Sequence, residues 1–231
     1  MNAHLATALY IVLTLIAYAC VRRLYVKYNH PLLNVVALSA AVVIVVLVLA
    51  DISYEAYIPA KDIMTAPIGA ATVALALPLY RHRAALRRYA PLIVGGVALG
   101  SFLAMFSVGL IAQLGGLPRD VVMSILPKGV SIPFAVEIAG MHGGIPALTA
   151  AFVVATGTLG SLLGAWTLTL ARVRDPMARG LSLGTVSHAQ GTASALLEGE
   201  QQGAMAGLAM ILAGILSAAM SPLVVWLLGI F

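Results

Sequence analysis

The chain has 231 residues, 61% hydrophobic and only 9% charged, with 13 Lys and Arg against 8 Asp and Glu for a net charge of +5. A soluble domain of this length carries about a quarter charged residues, so the composition excludes a soluble globule, a disordered chain and a disulfide scaffold. It indicates an all-α integral membrane protein, because long unbroken apolar runs also exclude the alternating pattern of a β-barrel.

The elements follow in chain order. A first apolar run covers about 4–21 and is followed, not preceded, by the basic cluster Arg22, Arg23 and Lys27. That order, with no small-residue cleavage site after the run, predicts a true span rather than a signal peptide. A second run extends from about Leu32 to Ile52, and a loop carrying Asp51, Glu55, Lys61 and Asp62 is expected next. A third run, about 63–80, ends in Arg81, Arg83, Arg87 and Arg88. A fourth, about 91–114, ends in the turn signal Gly115-Gly116-Leu117-Pro118. Two further clean runs lie at about 145–170 and 203–229, the first closed by Arg172, Arg174 and Arg179. Between them, 121–141 and 181–200 are apolar but interrupted by proline, glycine and polar residues.

Ten of the 13 Lys and Arg sit in three loops, 22–27, 81–88 and 172–179. The positive-inside rule makes all three cytoplasmic and sets the N-terminus outside. Between Arg88 and Arg172 the chain must then cross an even number of times, and runs 91–114 and 145–170 already supply two crossings. The segment 121–141 therefore enters and leaves on one side. The expectation is about six full spans plus two broken or re-entrant segments, with residues 1–114 as a four-span scaffold and 115–231 as the core. Residues 130–165 also resemble 187–222 at an offset of 57, pairing Gly157 with Gly214, Leu159 with Leu216 and Ala135 with Thr192. One copy starts outside and the other inside, which is the inverted repeat of many secondary transporters.

Broken backbone survives at membrane depth only inside protein or along a water-filled cavity, so the two interrupted segments mark the expected functional centre. In the first, Val130 and Ser131 offer backbone N–H groups to an anion. Lys128 reads either as an anion-attracting charge or counter-ion to Glu137, or as a lysine snorkelling to the interface. Glu137 is a proton carrier, a partner of Lys128 or a surface glutamate. In the second, Ser187, His188, Gln190, Gly191 and Thr192 form a dense polar cluster. A helix starting near Gly191-Thr192 would aim free N–H groups at a small anion. His188 titrates near neutral pH and suits proton coupling; otherwise it is a hydrogen-bonded structural histidine. Glu198 and Glu200 are placed at the mouth of this segment or at a solvated helix end. His142 is assigned to a loop, and His4, His30 and His82 to terminal or cytoplasmic positions.

No enzyme constellation is present: there is no Walker A, GxSxG, HExxH or CxxC motif, and no cofactor is implied. The single cysteine, Cys20, permits neither an intrachain disulfide nor a thiolate metal site. The basic excess fits cytoplasmic loops, so the lipid bilayer and a small anion are the expected partners, not nucleic acid.

Three stretches carry a family resemblance: Leu126-Pro-Lys-Gly-Val-Ser-Ile-Pro-Phe-Ala135, Gly143-Gly-Ile-Pro-Ala-Leu-Thr-Ala150 and Gly180-Leu-Ser-Leu-Gly-Thr-Val-Ser-His-Ala-Gln-Gly-Thr-Ala193. They resemble the LrgB/CidB family, most strongly over 115–230. The resemblance implies a multi-pass protein of the bacterial cytoplasmic membrane. It implies one of two roles. The first is an antiholin-like or holin-like role with a small LrgA/CidA-like membrane partner, affecting murein hydrolase activity and lysis. The second is carriage of small monocarboxylates, as in the plant plastidal glycolate/glycerate translocators and in bacterial members linked to pyruvate uptake. A homo-oligomer is compatible with both. The family pattern often reads Lys-Ser-Val-Thr-Thr-Pro at 128–133 and Gly-Thr-Ala-Arg at 191–194, so Gly129, Ile132 and Ser194 depart from it.

Overall fold

The structure, a computed structural model, describes residues 3–28, 35–67, 77, 80 and 83–230. Every regular element among them is a helix, which makes this an all-α membrane protein. Residues 1–74 form one compact unit and residues 75–231 another.

The first unit holds α1 (Ala3–Tyr28), α2 (Val35–Leu49) and α3 (Tyr54–Thr65). Its core joins Tyr10 and Ala17 of α1 to Val43 and Leu47 of α2 and Ala60 of α3. The Thr14 hydroxyl and Tyr57 hydroxyl meet at 2.9 Å across α1 and α3. The loop expected around Glu55, Lys61 and Asp62 is instead helix α3. Ser53 caps it, its Oγ accepting from the Ala56 N–H at 3.4 Å, and Glu55 sits in the first turn where the helix dipole favours a carboxylate. Most of the third apolar run, with His30, Arg81 and His82, lies outside the described residues.

The second unit holds α4 (Arg83–Leu114), α5 (Arg119–Ile125), α6 (Ile132–Met141), α7 (Pro146–Leu170), α8 (Pro176–Glu198) and α9 (Glu200–Leu227). Among the described residues, α1, α4, α7 and α9 are long and apolar enough to cross a membrane. Lipid tails are as apolar as leucine, so burial alone does not drive these helices together. Close approach of small residues does. A Cβ on Gly180 or Gly184 of α8 would run into the backbone of α9 at Gln202 and Ala206, so α8 and α9 lie backbone to backbone there.

Both interrupted segments are broken, as their sequence requires. The first leaves the helical path between α5 and α6, over 126–131, where Pro127 cannot donate to the helix ladder and Pro133 sits in the first turn of α6. The second breaks at His188, whose φ of 41° and ψ of −128° divide α8. Helix boundaries repeat at the 57-residue offset: Arg119, Met141 and Leu170 project onto Pro176, Glu198 and Leu227. Ser131, which caps α6, projects onto His188.

Each broken segment folds back on itself as a helical hairpin. In the first, the ends approach where a Cβ on Gly143 would lie 3.4 Å from the Arg119 guanidinium, and the Ile145 N–H donates to Ser124 Oγ at 2.7 Å, which ties the start of α7 to the last turn of α5. In the second, Arg179 near the start of α8 holds Glu198 at its end. Arg179 also donates to the carbonyls of Ala165 and Val173, at the C-terminal end of α7. The first hairpin therefore closes at the N-terminus of α7 and the second at its C-terminus, about 37 Å away for a 25-residue helix. The two copies are inverted.

Candidate functional site

The two breaks meet level with the middle of α7. Glycines on that helix make room for them. A Cβ on Gly157 would fall 2.5 Å from His188 Cε1, and one on Gly160 would overlap the Ser187 hydroxyl. Adding a Cβ to Gly129 would bring it within 3.7 Å of the Thr185 carbonyl, so the first break also runs against the second hairpin.

A cavity of about 430 Å³ opens between these parts, with Lys128, Thr156, Gly160, Ser182 and Ser187 among its lining and leucines such as Leu159 and Leu163 around them. It is concave and mostly apolar, with one cation and a few hydroxyls. That suits a small anion with an apolar body. Lys128 comes from the unwound stretch, which frees its side chain to reach across to α7 and α8.

His188 is buried, 5% exposed. Its imidazole Nε2 lies 3.0 Å from the Val153 carbonyl oxygen, and its own carbonyl accepts from the Thr192 hydroxyl at 2.9 Å. A non-glycine residue at positive φ carries about 1–3 kcal/mol of strain, held here by these bonds and by the glycine floor of α7. Gln190 follows, and its Oε1 is buried without a hydrogen-bond partner among the described residues. Gly191 is needed for close approach: a Cβ there would overlap the Leu183 carbonyl and crowd Ser187.

Of the expected site residues, the structure brings Lys128 and Ser187 together on the large cavity. Val130 is buried and lines a separate small cavity. Ser131 caps α6 without a side-chain cap bond. His188, Gly191 and Thr192 are buried and Gln190 is half-buried, and none of the four lines the large cavity. Glu137 lies on the exposed face of α6, opposite Ala135, Ile138 and Ala139, and forms no ion pair with Lys128 among the described residues. Helical phase explains this: 135, 138 and 139 share one face, and 137 points away from it.

Sequence reasoning missed Thr156 and Gly160, which lie in the clean apolar run 145–170, and the Arg179–Glu198 pair. The guanidinium holds the carboxylate bidentately, Nε to Oε2 and Nη2 to Oε1, both at 2.7 Å. The i, i+19 spacing fits no single-helix rule, so nothing short of the hairpin fold relates the two residues.

The sequence profile of the LrgB-like family matches residues 14–227. The uncharacterized protein YxaC of Bacillus subtilis is 36% identical over 220 residues, covering 95% of this chain and 96% of its own. The holin-like protein CidB of Staphylococcus aureus is 32% identical over 227 residues, 98% of this chain and 99% of its own. The holin-like protein CidB of Staphylococcus epidermidis is 31% identical over the same length and coverage. No solved structure matches the chain.

Proposed function

The chain belongs to the LrgB-like family, and we propose that it is a secondary carrier of small monocarboxylates of the glycolate, glycerate or pyruvate kind in the bacterial cytoplasmic membrane. One observation supports this above others. Two inverted helical hairpins meet at the middle of a spanning helix, around a cavity that carries Lys128 and Ser187. Inverted repeats with broken helices let a site at mid-membrane face each side in turn. Lys128 supplies the charge for the carboxylate, and the apolar wall accepts the short carbon body. His188 sets the proton coupling from behind Ser187. The chain acts without a cofactor and without enzymatic chemistry, with its N-terminus outside, alone or as a homo-oligomer. Flux of labelled glycolate and pyruvate into liposomes holding the purified protein tests the reading. Flux above empty liposomes, saturable and half-maximal at a higher acid concentration in Lys128→Gln, is expected; no flux of either acid overturns it.

A second reading is favoured directly by the comparisons, which support it better than the first. The two CidB relatives are named holin-like and match along their whole length. On this reading the chain is an antiholin-like or holin-like regulator of murein hydrolase activity and lysis, acting with a small LrgA/CidA-like membrane protein. Nothing in that role requires Lys128 in a cavity. Lysis rates in a deletion strain separate the two: rescue by Lys128→Gln as full as by wild type favours regulation, and failure of rescue favours carriage.

A further inference from the structure

A second cavity lies on the other side of the first break. It is small, about 10 Å³, and is lined by Ser101 of α4, Thr185 of α8, Ser217 of α9 and the unwound residues Leu126, Pro127 and Gly129. Ser101 is 4% exposed and Ser217 1%. Ser101 Oγ has no hydrogen-bond partner among the described residues. Leaving a buried hydroxyl unpaired is costly, and a guest of the right size and chemistry would complete it. The Thr185 hydroxyl donates to the Leu181 carbonyl at 2.7 Å, which spends its hydrogen and leaves its oxygen lone pairs available. The carbonyls of Leu126 and Gly129 accept no backbone hydrogen bond among the described residues. The C-terminal end of α5, the negative end of its dipole, stops at Ile125 beside this point.

The polar part of the lining is a set of neutral oxygens, three hydroxyls and backbone carbonyls of the turn after α5, set among the apolar Ala104, Met105 and Val130. No charged side chain lines the cavity, since Lys128 turns to the large one instead. Its volume takes one water-sized guest. We propose that this cavity binds a monovalent cation of sodium size, held by Ser101, Thr185 and Ser217 together with carbonyls of the 126–131 break. Hard cations take oxygen ligands, and unwound carbonyls with half-helix C-terminal ends are the ligands that Na⁺ uses in broken-helix carriers. Na⁺ or Li⁺, rather than K⁺, is the proposed occupant because Na⁺ is the ion that broken-helix carriers hold with such oxygens. The ion sits across one short stretch of backbone from the cavity of Lys128. It therefore adds positive field to the carboxylate site, and each ligand strengthens binding of the other by the same factor. That coupling, unlike the site itself, rests on the carrier reading.

Thermal unfolding of the purified full-length protein tests the site without requiring transport. It is followed in NaCl, LiCl, KCl and choline chloride at constant ionic strength. Stabilisation that saturates with Na⁺ and is absent with choline and weaker with K⁺ is expected. Ser101→Ala and Ser217→Ala should each raise the Na⁺ concentration for half the effect about tenfold, the loss of one ligand. No saturable Na⁺ effect on wild type overturns the site and leaves a bound water. An effect untouched in both variants overturns it too. Liposome flux with and without a Na⁺ gradient separates the two proposals. Flux without any Na⁺ response of flux or stability removes the cation and keeps the carrier. Na⁺ stabilisation without flux of either acid keeps the site and removes the carrier.

Discussion

The imidazole of His188 and the carbonyl of Val153 meet at 3.0 Å across α8 and α7. A carbonyl only accepts, so Nε2 carries the hydrogen and Nδ1 is the nitrogen left to take up a proton. Replacing His188 by Gln keeps a side-chain N–H for Val153 but removes titration between about pH 5 and 8. His188→Gln is expected to fold and to flatten the dependence of flux on pH across 5.5–8. Glu137→Gln should keep the wild-type profile, since Glu137 sits on the exposed face of α6. A wild-type profile in His188→Gln would assign the residue a structural role.

Lys128 and Ser187 face one cavity from opposite hairpins. Removing the lysine charge takes away a charge-assisted contact of about 1.5–3 kcal/mol, tenfold or more in affinity. Lys128→Gln should weaken carboxylate binding by at least that factor, measured by competition of unlabelled acid against flux. Ser187→Ala, which removes only a hydroxyl donor, should weaken it by less. Unchanged affinity in a folded Lys128→Gln protein places the lysine at the interface instead.

The breaks were legible because proline and glycine act locally: Pro127 and Pro133 forbid a continuous helix whatever surrounds them. The parity of the basic loops calls for a first segment that enters and leaves on one side, and a segment broken between α5 and α6 is compatible with that. The repeat was faint in letters, since apolar sequence matches by chance, yet its helix boundaries coincide at Arg119 and Pro176 and at Leu170 and Leu227. What the sequence hid was long-range adjacency. Gly157 and Gly160 lie in a clean apolar run, and only the folded hairpin shows that they make room for His188 and Ser187. Glu137 reads as a proton carrier, a partner of Lys128 or a surface glutamate, and the phase set by Ala135, Ile138 and Ala139 puts it on the exposed face of α6. Helix α3 was hidden because its charged residues suggested a loop.

The positive-inside reading puts the turn after α4 outside and the loop after α7 in the cytoplasm, which labelling can test. Leu117 lies in the turn after α4, and Ala171 at the C-cap of α7, both exposed. In a Cys20→Ser background, Leu117→Cys should react with an impermeant maleimide added to intact cells. Ala171→Cys should react only after the membrane is opened. Labelling of both from outside would contradict the re-entrant first hairpin and the parity on which it rests.

Arg179 and Glu198 clamp the mouth of the second hairpin, with side chains 13% and 18% exposed. The first hairpin has no such pair: at the 57-residue offset the positions are Val122 and Met141. The second mouth therefore depends on one bidentate contact plus the carbonyls of Ala165 and Val173. Removing one partner leaves the other partly buried and unpaired, which costs about 3–5 kcal/mol in a fully buried pair and less here. Glu198→Gln and Arg179→Ala are each expected to lower the melting temperature by several degrees. Arg179→Ala should be the more severe, since it also frees two carbonyls. The double variant Arg179→Ala/Glu198→Gln should melt no lower than Arg179→Ala alone, because the orphaned carboxylate is gone. Strictly additive losses would show that the two residues act independently and that the hairpin mouth is held by something else.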